Sequence, residues 1–287
     1  MNVSLLVSIL ASASVYAALA TAVVLVYRAN RVLVFHLAEL GVLASYLMVT
    51  LSGEAGWSLP ASFLAALAVA LAVSVLVHVL VDHWGRPFGH FVGTVLTIAV
   101  GGILMGLIGM IWSGRTVRMI LAEGRTDVFG EPISTNTLVV MGLCCLATVA
   151  VHLVVNRSRL GISMRAVANS ASLARHRGIQ VSRVLLVVWL LSGALGTIAG
   201  IGMASLSAVA MEGAVIGVSA IVAAILGGLT SLGGAIIGSI LLAFGEQMVI
   251  VYVDPRYSQV VPILVLFTIL VIRPSGLSGR TESVVRV

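Results

Sequence analysis

Lysine is absent from this chain, so all 16 of its basic residues are arginine. A phosphate-binding Gly-x-x-x-x-Gly-Lys-Ser/Thr loop is therefore excluded, and no side-chain amine is available as a Schiff-base nucleophile. Any ATP hydrolysis that drives this protein must come from another polypeptide. Charge of either sign is scarce as well: Asp, Glu, Lys and Arg supply 9% of the residues, against about 25% in a soluble globular domain. With 60% of residues hydrophobic and a mean hydropathy of +1.18, most of the chain has no watery surface to cover. Soluble enzymes, nucleic-acid-binding domains and disordered chains are excluded; lipid is the solvent. Cysteine is limited to Cys144 and Cys145, adjacent within an apolar run. Metal sites use Cys-x-x-Cys-type spacing with His partners, so the pair reads as two small helix residues, with no metal or cofactor implied. His-Glu-x-x-His, Gly-x-Ser-x-Gly and an Asp pair within the apolar runs are missing too, which argues against a membrane-embedded enzyme.

What the chain has in quantity is apolar runs near the length of about 20 residues that a spanning helix requires. Ser4–Tyr27 is free of charge and is followed by Arg28 and Arg31. Val32–Ser52 carries His36 and Glu39; then come Leu59–Val81, Phe91–Ser113, Ile133–Val155, Val184–Met211, Gly213–Val253 with the single charge Glu246, and the short Tyr257–Ile272. A secretory signal has its positive charge before the apolar core. Here the arginines follow it, so the first run is expected to be a retained span with the N-terminus outside. As one straight helix Gly213–Val253 would be ~60 Å long, about twice the hydrocarbon thickness. Its middle, Gly227-Gly228-Leu229-Thr230-Ser231-Leu232-Gly233-Gly234, breaks a helix, giving either two spans or one span and a re-entrant hairpin. With two spans the chain crosses nine times and arginine sorts to one side: 12 Arg with Asp82 and Glu282 inside, four Arg with six acids outside. Eight crossings would carry Arg273, Arg280 and Arg286 outside, so the positive-inside rule favours nine. The expected fold is all-α: one polytopic transmembrane bundle over 1–287 with a cytoplasmic C-terminus, an external loop over 114–132 and a basic inner loop over 156–182.

That inner loop holds five Arg and no acid. Met164, Val167, Ala168, Ala171 and Ala174 recur at three- and four-residue steps, predicting one short amphipathic helix closed by Gly178; a proline at Ala171 is expected to interrupt it. Such a helix either lies on the anionic inner leaflet or docks into a groove on a partner. Ionisable groups at membrane depth are expensive and point to function. Glu39 lies one-third of the way into the second run and three residues after His36, so the two share a helix face. They form either a polar patch on a translocation path or a structural hydrogen-bonded pair. Glu246 is read toward the outer end of its span, a further path candidate. Non-helical backbone at membrane depth is tolerated only when buried in protein or lining a cavity, so Gly227, Gly228, Gly233 and Gly234 mark a path wall or a gate hinge. Gly102/Gly106, Gly196/Gly200 and Gly234/Gly238 have the spacing that brings helix backbones together in lipid.

Three stretches carry a resemblance. Arg157–Ala168 is similar to an Arg-x-x-x-Gly-x-x-x-Arg-Ala-x-Ala entry to a cytoplasmic loop, Ala224–Gly238 followed by Glu246 to a glycine-rich broken span, and Arg273-Pro-Ser-Gly-Leu-Ser-Gly279 to an Arg-Pro-x-Gly-Leu-x-Gly ending. In these and in its span layout the chain resembles the permease subunits of bacterial ABC importers for branched-chain amino acids, the LivH/LivM-like family. The resemblance implies a permease of the cell membrane that encloses a path with a second permease chain, identical or sister. It implies cytoplasmic ATP-binding subunits acting on a coupling helix that includes Arg165, Ala168, Ala171, Ala174 and Gly178, and an extracytoplasmic binding protein that delivers substrate. Two departures stand out. The coupling loop of ABC importers carries Glu-Ala-Ala-x-x-x-Gly, whereas this register reads Ser172-Leu173-Ala174-Arg-His-Arg-Gly178; and Val34-Phe35-His36-Leu37-Ala38 replaces an Asn-Phe-Ala-His-Gly-like entry to the second span. Branched-chain amino acids lead as substrate, with urea and amides carried by similar permeases. The competing class is a secondary transporter or channel. It would need paired acids at the midplane and matching broken helices in two halves, and only Glu39, Glu246 and one glycine break are present.

Overall fold

The computed structural model describes residues 3–85, 88–207, 214–273 and 275–278. Arg86, Met211, Glu212, Gly213, Pro274, Gly279, Arg280, Glu282 and Arg286, used above in run boundaries, charge counts and the C-terminal motif, lie outside them.

Backbone N–H and C=O groups find no water in hydrocarbon, so apolar runs fold as helices that pair those groups internally. In chain order the elements are α1 (Val3–Asn30), α2 (Leu37–Gly53), α3 (Leu59–Leu80, continued by a π turn over Val81–Gly85), α4 (His90–Trp112), β1 (Arg125–Val128), β2 (Glu131–Ser134), α5 (Thr135–Arg157), α6 (Arg159–Asn169), α7 (Ala171–His176), α8 (Val181–Leu206), α9 (Ala214–Gly227), α10 (Leu232–Tyr252) and α11 (Val260–Ile272). α1, α3, α4, α5, α8 and α10 are long and apolar enough to cross a bilayer. α2, α9 and α11, with 17, 14 and 13 residues, fall short of the usual length of about 20. Loop 156–182 marks one end of the bundle. α1, α3 and α5 finish there, α4 and α8 start there, and the α9–α10 turn lies there too. The apolar helices thus alternate in direction, and the glycine-rich break is a turn at that end rather than an interruption at mid-depth.

The opposite end is closed by the 113–134 connection. β1 and β2 pair antiparallel, Val128 opposite Glu131. Phe129 and Gly130 both take positive φ, 51° and 85°, as a two-residue type I′ turn requires. The segment before the hairpin is tied down by Arg115, whose carbonyl accepts from the Tyr46 hydroxyl at 2.6 Å and whose guanidinium meets Glu54 at 3.1 Å. Met119 N–H donates to the Ala204 carbonyl. Asn136 accepts from Leu121 N–H and donates to the Ser205 carbonyl, joining α5 to α8.

α1 is the axial helix. Burial covers 89% of its most apolar window, against 33%, 28% and 28% in α3, α4 and α5, and it packs against α5, α8, α9 and α10. Alanines along it let those neighbours approach closely. α2 and α8 come closer still: a Cβ on Gly41 would lie 2.6 Å from the Gly196 carbonyl oxygen, and one on Gly200 would overlap the Gly41 backbone. Of the three small-residue pairs, Gly196/Gly200 and Gly234/Gly238 sit in such contacts, whereas Gly102 and Gly106 face open space.

The second apolar run is not helical throughout. Residues 31–35 are irregular, Arg31 has φ 58°, and α2 begins only at Leu37. This buried, non-helical backbone needs partners, and α4 supplies them. Leu33 N–H donates to Thr94 Oγ1 at 3.2 Å, Phe35 N–H to Thr97 Oγ1 at 3.3 Å, and the Thr97 hydroxyl lies 3.0 Å from the Leu33 carbonyl. Glu39 is consequently in the first turn of α2, yet level with Gly101 in the middle of α4.

Backbone contact at the α2–α8 crossing gives a sharp expectation. Gly200→Val should destabilise the protein by about 1–3 kcal/mol or more, whereas Gly102→Val should stay within about 0.5 kcal/mol. Thermal unfolding of the two variants in detergent distinguishes them, and equal midpoints would contradict the crossing.

Candidate functional site

The three sequence stretches singled out above converge at the end of the bundle marked by 156–182. α5 stops at Arg157, and the chain folds back at once because Gly161 sits on the Val155 carbonyl, where any Cβ would overlap it. Arg165 Nη1 donates to that carbonyl at 3.4 Å, a cation set against the C-terminal carbonyls of α5. The expected single amphipathic helix is in fact two. Ser170 takes an extended conformation (φ −161°, ψ 106°), separating α6 from α7, and its Oγ caps α7 by accepting from Leu173 N–H. Gly178, with φ 79°, ends α7 in a left-handed C-cap, and Ile179 N–H donates to the Ala174 carbonyl at 3.0 Å.

The apolar stripe faces inward. Met164, Val167 and Ala174 are buried, Ala168 and Ala171 are half-buried, and α6 packs on α1, α5 and α8. That stripe is therefore used within the chain and is available to neither bilayer nor partner. What faces outward is Leu173, 69% exposed, with Arg165, Arg175, Arg177 and Gly178. The break at Ser170 also changes the meaning of Ala171. As the first residue of α7 it follows an extended residue, and both features suit proline. Ala174, whose N–H donates to the Ser170 carbonyl at 3.0 Å, is the position a proline would disrupt.

The α9–α10 turn lies beside this loop. Gly227 and Gly234 meet backbone to backbone, Gly238 meets the Ala223 carbonyl, and Gly228 takes φ 103°. Ser231 caps α10 by accepting from Gly234 N–H at 3.0 Å. Leu277 and Ser278 then donate their N–H groups to the carbonyls of Leu226 and Gly227, at 2.8 and 3.0 Å. The glycine-rich stretch and the C-terminal motif are thus one unit. Gly233 has nothing within 4 Å and lines a cleft of about 640 Å³ with Arg28, Arg31, Arg165 and Asn169.

His36, Glu39 and Glu246 line none of that end's clefts, whereas His152, on α5, lines the cleft beside Gly233. His36, fully buried, stacks on Trp189 with ring centroids 5.8 Å apart, and His78 lies on the same indole at 6.3 Å. Glu39 instead turns to α4, where a Cβ on Gly101 would lie 3.5 Å from its Oε2. The pair read from the sequence does not share a face, because His36 precedes the helix that carries Glu39. Glu246, 7% exposed, is held inside: Tyr16 donates to one carboxylate oxygen at 2.6 Å and Ser219 to the other at 3.0 Å. It ties α1, α9 and α10 together and does not reach water at a span end. Sequence reasoning missed Trp189, Tyr16 and Ser219, which have no local signal. Thr94 and Thr97 had one, the three-residue spacing of two hydroxyls on a single apolar helix.

Glu246→Leu should leave the Tyr16 and Ser219 hydroxyls buried without an acceptor, at about 1–3 kcal/mol each. Glu246→Gln, which keeps one carbonyl oxygen, should cost distinctly less. Chemical unfolding in micelles measures both, and parity between them would contradict a satisfied internal tie.

The family model described as "Branched-chain amino acid transport system / permease component" matches residues 5–270. The chain is 25% identical over 285 residues to the high-affinity branched-chain amino acid transport system permease protein LivH of Escherichia coli K12, covering 94% of this chain and 92% of the relative. It is 27% identical over 283 residues to the probable branched-chain amino acid transport permease protein LivH of Methanocaldococcus jannaschii, covering 91% and 87%. Among solved structures, one described as PsaBC from Streptococcus pneumoniae in complex with Fab superposes with a TM-score of 0.50 at 15% identity, covering 96% of this chain and 94% of that one. This last likeness concerns the fold alone.

Proposed function

The chain belongs to the family of permease components of branched-chain amino acid transport systems, and on that premise we propose that its Arg-rich end faces the cytoplasm and receives the stroke of separate ATP-binding subunits through α7. Two permease chains, identical or sister, enclose the path between them, and an extracytoplasmic binding protein delivers a branched-chain or similarly apolar amino acid at the hairpin end. The observation that carries the coupling role is the division of labour within 156–182. α6 is packed into the bundle by Met164 and Val167, while α7, set off by Ser170, presents Leu173 outward between arginines.

Physically, α7 is a short lever on a rigid mount. Ala174 anchors its inner side, and α6 transmits displacement to α1, the most buried helix. A partner groove that accepts Leu173 and carries carboxylates for Arg175 and Arg177 would complement it. This reverses the acidic contact expected of a Glu-Ala-Ala loop. Basic residues at this end also obey the positive-inside rule. The interior candidates His36, Glu39 and Glu246 act in this reading by fixing helix positions, with the path formed between chains.

Reconstitution with candidate ATP-binding subunits tests the coupling. Leu173→Glu and Ala174→Pro should abolish stimulated ATP hydrolysis and leucine uptake while the chain still inserts; a helix-interior proline costs about 3 kcal/mol, enough to unfold six residues. Ala171→Pro should stay near wild type. Robust uptake by liposomes holding this chain alone would refute the proposal in favour of a secondary transporter, and uptake of urea or amides in place of leucine would reassign the substrate. Arg177→Cys, in intact cells, should react with an impermeant maleimide only after the membrane is opened; labelling from outside would invert the orientation.

A further inference from the structure

The cleft of about 640 Å³ between α1, α6 and the α9–α10 turn has a chemistry that coupling does not use. Arg28, in the last turn of α1, and Arg165, on α6, both line it, together with Arg31 and His152. Neither has a carboxylate within ion-pair distance among the described residues, and Arg165 donates only to the Val155 carbonyl. No Asp or Glu lines the cleft, and its further lining includes Asn169, Thr230 and Ser231. Guanidinium groups gathered in one cleft at the rim of a low-dielectric bundle favour a counter-anion. The cleft has a second source of positive potential. α10, 21 residues long, starts at its wall; Ser231 already takes the Gly234 N–H, and the positive end of the helix dipole favours negative charge there. Arginine's planar fork matches phosphate oxygens, which accept several charge-assisted bonds at once.

We propose that this cleft binds a phosphate group, held between Arg28 and Arg165 at the N-terminus of α10. The phosphate is that of an anionic lipid headgroup or of a soluble anion; the recognition chemistry is shared. Occupation would join α6, which carries α7, to the axial helix and to the glycine-rich turn, stiffening the connection through which a stroke on α7 travels. The site depends on the loop end of the bundle alone, whichever compartment that end faces, so it stands or falls separately from the coupling role.

The test uses the purified full-length chain in two arms. In the first, native mass spectrometry follows retention of phosphatidylglycerol against phosphatidylcholine. In the second, thermal shift in phosphatidylcholine nanodiscs compares inorganic phosphate with chloride at matched ionic strength. The wild-type chain should hold one phosphatidylglycerol, or be stabilised by phosphate, or both. The first result assigns the headgroup and the second the soluble anion. R28Q/R165Q should weaken the effect about tenfold or more, while R175Q/R177Q, which removes the same charge from α7, should leave it unchanged. Equal weakening by the two pairs would mean surface charge alone, and absence of both effects in the wild type would mean no site; either overturns the proposal. Arg165 is exposed, so R165Q by itself carries the comparison if the double variant does not fold.

Discussion

Every polar group of a backbone that runs through hydrocarbon must find its partner within the protein, and this requirement organises the molecule from its longest helices to its irregular connections. Helices meet it along the apolar runs. Where the chain leaves the helix, between Arg31 and His36, the hydroxyls of Thr94 and Thr97 take over. At the α9–α10 turn the residues after α11 do so, through Leu277 and Ser278. The family-like C-terminal motif therefore has a physical role: it completes the hydrogen bonding of the glycine-rich corner.

Glycine serves the same constraint in a second way. In lipid the hydrophobic effect does not drive helices together, so close backbone approach and dispersion contacts do. Gly41 with Gly200, and Gly227 with Gly234, bring backbones into direct contact, which fixes α2 on α8 and α9 on α10. With α1 at the axis, these crossings leave little freedom to the core.

The polar groups inside the bundle illustrate how misleading spacing can be. Glu246 accepts two hydroxyl donors from α1 and α9, which makes it a fastening within one chain. His36 and Glu39, three residues apart, go to α8 and α4 respectively. A carboxylate at membrane depth is costly, and here its neighbours, not its place in the sequence, decide whether that cost is met by structure or exploited by function.

The solvent, the helical class, the long apolar runs and the concentration of arginine in one connection were all legible in the amino-acid order, because hydropathy and charge act residue by residue and need no knowledge of neighbours. The same order also made the three motif stretches legible. It could not tell that those stretches lie together, that the stripe Met164–Val167–Ala174 faces inward, that a single extended serine divides the inner helix, or that α2 starts five residues late. Each of these depends on which surface another segment offers: the Val155 carbonyl under Gly161, the threonines of α4, the indole of Trp189. These were settled in three dimensions, since the surface that another segment offers leaves no local pattern in the residues it meets.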